Sequence, residues 1–333
     1  MKSATIYGKM SIEHLEGFQD KAPGAWQNSS NWSRWKKSIV DVLDTNFWPS
    51  RSRLGAPGYP NARIKALTRC DLDVLTALQA EGKPTSPQTF SEALRALNIA
   101  ASNATIWECF ERENLWGTLK ASTRNNQITT VPVGLLASYQ HAFPNGVFGP
   151  DAPDVAISSR EQQFMATPVD SCIGSVTELL KLEFQRPRPF QVAEEFGYPN
   201  FFHWVSSSAN SPALPAGHEL QAIFVFLCCV RELPLSATSK NLKSFASWCA
   251  GIGDRRVYAG LHYPSDILAS QLIAASMLDE IFPGSEVEQL RTMLRLYLSG
   301  SHSLRKIREH HALVGNSSPF NGALAALDKQ MPP

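Results

Sequence analysis

Three short stretches of this 333-residue chain combine residue types suited to holding and attacking an oxyanion. In the first, Lys181-Leu-Glu-Phe-Gln-Arg186-Pro-Arg188-Pro189-Phe190, Lys181 and Arg188 are seven positions apart. On a helix that spacing is two turns and puts both cations on one face, with Pro187 and Pro189 stopping the helix there. Arg offers a planar fork to phosphate-like oxygens and Lys a point charge; the plainer alternative is cations placed favourably at a helix C-terminus. The second stretch is Ser211-Pro-Ala-Leu-Pro215-Ala216-Gly217-His218-Glu219. It opens an apolar helix with Leu220, Ile223, Phe224 and Leu227 on one stripe. Free backbone N–H groups at a helix N-terminus suit an anion, with His218 at the rim, or capping the helix or facing solvent. The third stretch is Asp254-Arg255-Arg256-Val-Tyr-Ala-Gly260-Leu-His262-Tyr-Pro264-Ser-Asp266. Asp266, four residues after His262, can fix the imidazole tautomer and raise its basicity. An oriented imidazole beside cations is the arrangement expected of a nucleophile in phosphoryl transfer. The alternatives are a first-turn acid for Asp266 and a surface salt bridge for Arg256.

The elements that must position these residues read as helices. Periodicity predicts them at about 159–185 (broken or kinked at Pro168), 218–232, 239–252, 265–282, 286–299 and 302–312. Others are predicted after the Ser86-Pro87 cap, at 103–121 and at 133–142. The best strand signal, 128–134, is weakened by Pro132. The first 60 or so residues read as irregular and aromatic-rich, with Trp26, Trp32, Trp35 and Trp48 packing them onto the main body. Residues 47–63 and 143–158 read as Pro- and Gly-rich loops. The expectation is a single mostly helical domain over 1–333. Residues 1–150 form an N-terminal extension packed on a catalytic core at 155–285, and 286–333 add C-terminal helices.

Composition bounds the function. Apolar residues at 43% against 18% charged allow a sizeable core, so the chain is not a disordered one. A net charge of +1 argues against a general nucleic-acid or membrane-surface binder. The longest apolar run, 222–230, falls well short of the roughly 20 residues of a membrane span. No secretory signal is visible, so a soluble, cytoplasmic protein is expected. Cys70, Cys109, Cys172, Cys228, Cys229 and Cys249 form no C-x-x-C pair. They read as reduced thiols, with Cys228, Cys229 and Cys249 as small buried hydrophobes, and no Cys/His set has zinc spacing. His310 and His311 read as a solvated face of a basic helix. His203 reads as loop packing, or as lining an apolar entrance with Phe201, Phe202 and Trp204.

Taken in order, K-x6-R-P, P-x-G-H and R-x5-H-x3-D resemble the superfamily of type-2 phosphatidic acid phosphatases, class A bacterial acid phosphatases and vanadium haloperoxidases. The resemblance covers about 181–266, extends to 155–285, and leaves the first 150 residues unmatched. It implies an all-α helical bundle of the acid phosphatase/vanadium haloperoxidase type, in which the three stretches converge on one oxyanion. It implies that Lys181, Arg188 and Arg256 clamp the non-bridging oxygens, with Ala216 and Gly217 in the oxyanion loop and the Gly217 N–H donating. His262 would attack phosphorus with Asp266 orienting it, and His218 would protonate the leaving oxygen and then activate water. Two positions depart from the family pattern. Ala216 stands where a Ser is usual, removing one hydroxyl donor. Arg255 stands where another Ser is usual, either adding charge near the mouth or pointing to water.

The resemblance leaves three functions open. The first is a metal-independent phosphatase that hydrolyses a phosphate monoester or diphosphate through a phosphohistidine, with no cofactor. The second is a haloperoxidase holding vanadate at His262. The third is a weakened anion-binding member. The motif wording favours the phosphatase. The expected partner is a small phosphorylated molecule, soluble or amphipathic, with no nucleic acid.

Overall fold

A computed structural model describes residues 30–51, 62–81, 174–203, 209, 211–232, 240–281 and 284–331. Among these residues the secondary structure is helical, without strands. The helices are α1 (Ser30–Asn46), α2 (Ala62–Glu81), α3 (Gly174–Phe184), the short α4 (Pro189–Val192), α5 (Gly217–Glu232) and α6 (Lys240–Tyr258). They continue as α7 (Pro264–Ile281), α8 (Gly284–Gly300), α9 (His302–Val314) and α10 (Asn321–Gln330). The expected helices and loops at 86–173, including the 128–134 strand signal and Pro168, lie outside the described residues, as do Trp26, Cys109, Cys172 and Trp204.

α7 is the axis of the bundle. It is buried on every side, with Ile267, Leu268, Ala269, Leu272, Ile273, Ala274, Ala275, Met277 and Leu278 all in the core. A helix of that kind must be surrounded, and α1, α2, α5, α6, α8, α9 and α10 all pack against it. The helices around it are one-sided. α5 buries the expected stripe of Leu220, Ile223, Phe224 and Leu227, and α3 buries Val176, Leu180 and Phe184 at intervals of four.

The N-terminal part departs from expectation. Residues 30–46 form a regular helix rather than irregular chain, and 62–63 already belong to α2. Trp35, Ile39 and Leu43 repeat every four residues and are buried; the dense tryptophans obscure this spacing. Trp35 also donates Nε1–H to Ser276 of α7 at 3.1 Å, and Trp48 is buried as well, so among the described residues these two tryptophans pack on the main body.

Two helix ends also differ, and both matter for the site. α3 stops at Phe184, one turn short of Arg188, and Gln185 takes a left-handed φ of 47°. Lys181 and Arg188 therefore do not share a helix face. α6 extends to Tyr258 instead of ending near 252, so Arg255 and Arg256 are helical. Gly253, which tempts one to end the helix early, is instead where α6 presses on α5: a Cβ there would lie 2.1 Å from Glu219 Oε2.

Candidate active site

The first stretch reaches the site by a reversal. After Gln185 the chain runs extended through Arg188, at φ −72° and ψ 155°, before Pro189 opens α4. Pro is suited to that first helical position, and the Gln191 side chain accepts the Arg188 N–H at 2.7 Å, fixing the bend. The bend turns Arg188 back towards Lys181. Both cations then share the segment that leads to α5. Lys181 donates Nζ–H to Ser211 Oγ at 3.0 Å and to the Pro212 carbonyl. Arg188 donates Nε–H to the Ser211 carbonyl at 2.8 Å.

The second stretch descends through the buried run Pro212–Ala216. α5 then begins at Gly217, with His218 half-buried in its first turn. Gly217 faces Thr177 of α3 so closely that a Cβ would come within 2.9 Å of Cγ2. The Ala216 N–H points to the Asp266 carbonyl at 3.4 Å, and its methyl group lies in the core.

The third stretch is a turn built on the end of α6. The Arg256 carbonyl accepts from the N–H groups of Leu261 and His262 at 3.0 and 3.3 Å, which ties His262 to its neighbouring cation. Gly260 is required at the bend. Its φ is 69°, and a Cβ would meet the Phe202 carbonyl at 2.4 Å. Pro264 starts α7, and Asp266 in its first turn accepts from the Tyr263 N–H at 2.9 Å through Oδ2.

These three pieces meet at His262. Its Nδ1 faces Asp266 Oδ2 at 3.3 Å and its Nε2 faces Arg188 Nη1 at 2.7 Å. Arg188 also donates to the Leu261 carbonyl at 2.6 Å. Arg188, Arg256, His262 and Asp266 are almost wholly buried, and Lys181 is 7% exposed. The electrostatics record the convergence. Burial above all, then Arg188, Lys181, Arg256 and His218, hold the His262 imidazole well below its usual range. Burial and then Arg188 keep the Lys181 ammonium well below its usual range. Burial and then Arg256 push the Arg188 guanidinium down to about 9, still charged at neutral pH. Buried like charges repelling one another around an unprotonated imidazole form a site that gains most from an anion.

Beneath the site lies a layer that the motifs do not announce. Arg186 is fully buried and donates to Asp266 Oδ1 and Ser265 Oγ at 2.7 Å through Nη1, and to Asp71 Oδ2 at 2.7 Å through Nη2. Its guanidinium lies 3.9 Å from the Tyr263 ring centroid and 5.3 Å from that of Trp48. Burial alone would depress the Arg186 pKa, but Asp266 and Asp71 outweigh it and raise it. The string Arg186-Pro-Arg188-Pro shows two arginines with no sign that they divide the work: Arg188 faces His262 and Arg186 faces the carboxylates. Nothing local marks Asp71, which is 115 residues from its partner.

Arg255 is 3% exposed, so it does not point to water, and Arg256 at 1% is not in a surface pair. His203 is exposed and stacks on Phe190 at 4.7 Å, with Phe201 and Phe202 half-buried alongside. His310 and His311 are not a solvated face. His310 Nε2 lies 3.4 Å from Cys70 Sγ and its ring meets Phe320 edge-on, while His311 Nε2 lies 3.1 Å from Asn321 Oδ1. Cys70 and Cys249 are buried free thiols. Among the described residues there is no group of His, Cys, Asp or Glu fit to hold a metal ion, and no helix long and apolar enough to cross a membrane.

The helical bundle thus brings the charges of Lys181, Arg188, Arg256 and His218 to bear on one buried imidazole, His262. The family model described as PAP2 superfamily matches residues 169–283, about a third of the chain. That match supports a phosphatase-type function. No curated protein and no solved structure matches the chain.

Proposed function

We propose that the protein is a phosphatase that hydrolyses a phosphate monoester through a phosphohistidine at His262, without a metal. One observation carries the reading. The Nε2 of a buried imidazole faces cations while a carboxylate takes its Nδ1. A guanidinium N–H directed at Nε2 keeps that nitrogen unprotonated, and Asp266 holds the proton on Nδ1. The Nε2 lone pair is the nucleophile.

The surrounding charge suits the substrate. Lys181, Arg188 and Arg256 bring buried positive charge to His262, which suits a phosphate monoester dianion. Lys181, Arg188 and Arg256 hold the non-bridging oxygens, joined by the Gly217 N–H at the start of α5. In the first step Nε2 bonds to phosphorus, the bond to the ester oxygen breaks, and His218 gives that oxygen a proton. In the second, His218 takes a proton from water, whose oxygen attacks phosphorus; the P–N bond breaks and phosphate leaves.

The test is phosphate release from para-nitrophenyl phosphate by the full chain, with orthovanadate as inhibitor. Turnover that vanadate blocks, and that the His262→Ala variant lacks, is expected. Full turnover by His262→Ala would overturn the mechanism. Bromide oxidation by vanadate-loaded protein with peroxide, without phosphate release, would assign the site to haloperoxidase chemistry instead. Neither activity with tight phosphate binding would make it an anion-binding site.

A further inference from the structure

We infer that Asp71, on a helix outside the family segment, is a positioning residue for His262, acting through Arg186 and Asp266. The inference rests on the phosphohistidine reading above. Asp71 is fully buried and both its oxygens are committed to the site's underside. Oδ1 accepts from the Ser265 N–H at 3.0 Å. Oδ2 accepts from Ser265 Oγ–H at 2.5 Å and from Arg186 Nη2 at 2.7 Å. Arg186 therefore lies between two carboxylates, one on each terminal nitrogen, with Tyr263 against its face.

This division determines how Asp266 meets His262. Asp266 gives Oδ1 to Arg186, which leaves Oδ2 for His262 Nδ1 and the Tyr263 N–H. A guanidinium prefers to grip a carboxylate with both forks. With Asp71 occupying Nη2, Arg186 can offer Asp266 only one. Without the Asp71 charge, the buried guanidinium turns both forks on Asp266, draws Oδ2 off Nδ1 and releases the imidazole from its orientation. Lys181, Arg188 and Arg256 are not bonded to Asp71, so the oxyanion clamp is left in place. Asp71 thus acts on the attacking atom and not on substrate binding.

The experiment compares wild type with Asp71→Asn in the full chain. It measures the burst of phosphoenzyme from para-nitrophenyl phosphate by rapid quench, and the inhibition constant for orthovanadate. The burst is expected to slow by about ten- to a hundredfold while vanadate affinity stays within about twofold. An unchanged burst would overturn the inference. So would a burst and a vanadate affinity that fall together, the mark of a residue that merely holds the fold. Should Asp71→Asn not fold, Ser265→Ala removes one of the hydrogen bonds that fix Asp71, and the same two readouts decide in the same way. A wild-type protein that forms no phosphoenzyme would defeat the functional reading and this inference with it, whereas a normal burst in the variant defeats the inference alone.

Discussion

Arg188 directs a terminal guanidinium nitrogen at Nε2 of His262 across 2.7 Å. The same side chain binds the Ser211 and Leu261 carbonyls, so one residue joins all three chemical stretches. Replacing it with Lys keeps a charge but loses the fork. Arg188→Lys is expected to reduce kcat/KM for para-nitrophenyl phosphate by about 100-fold or more, the scale for losing an oriented donor to a developing oxyanion. Steady-state kinetics check this; a change within about threefold would show that charge alone suffices.

The His262 imidazole is held well below the usual 6.5, by burial first and then by Arg188, Lys181 and Arg256. In the proposed mechanism it attacks unprotonated, so the acid limb of the kcat/KM profile should lie below pH 6.5. Removing a cation relaxes the repulsion and raises the imidazole pKa. In Lys181→Met the acid limb should therefore move to higher pH, while overall activity falls. A limb that stays put or moves lower would show that Lys181 does not act on His262.

Ala216 sits at the foot of α5, where a hydroxyl would add a neutral donor close to the anion. Ala216→Ser is expected to tighten orthovanadate inhibition by about tenfold, corresponding to about 1–2 kcal/mol for one hydrogen bond. Titration of the inhibition at fixed substrate measures it. Unchanged inhibition would place this position outside the anion's reach.

Glu219 is buried in the first turn of α5, accepting from Gln271 at 2.9 Å and Tyr297 at 3.0 Å. Burial, and then the charge of Asp254, hold its carboxyl well above the usual carboxylate range. The folded protein thus keeps a proton that the unfolded chain releases near pH 4.5. That contribution to stability is complete below 4.5 and is lost as pH rises towards the folded value. Glu219→Gln removes the titration, so its Tm should fall less steeply than that of wild type over this window. Thermal denaturation across pH checks it, and parallel slopes would contradict it.

The three stretches are legible in the sequence because each is local: a cation pair around prolines, a Gly-His at a helix start, a His and Asp one turn apart. α5 is equally legible, since its uninterrupted apolar run admits only burial. Helix ends are harder. Lys181 and Arg188 have helical spacing, yet two prolines and a left-handed Gln185 bring them together through a reversal. The end of α6 is hidden in the same way, because the packing of Gly253 on Glu219 of another helix is not local in the chain. Asp71 is least visible of all. An acid in a helix looks solvated until the fold puts Arg186 beside it.

Gln79, on the same helix as Asp71, gives both hydrogens of its amide to backbone carbonyls of the core, Phe202 and Tyr258, each at 3.0 Å. Those carbonyls flank Gly260, at the turn that delivers His262. An excised fragment confined to the matched segment would lose both of these hydrogen bonds, and with them this brace on the turn. The matched segment and the helix that carries Asp71 and Gln79 are thus tied into one structure, and shortening the chain between them would cut these bonds.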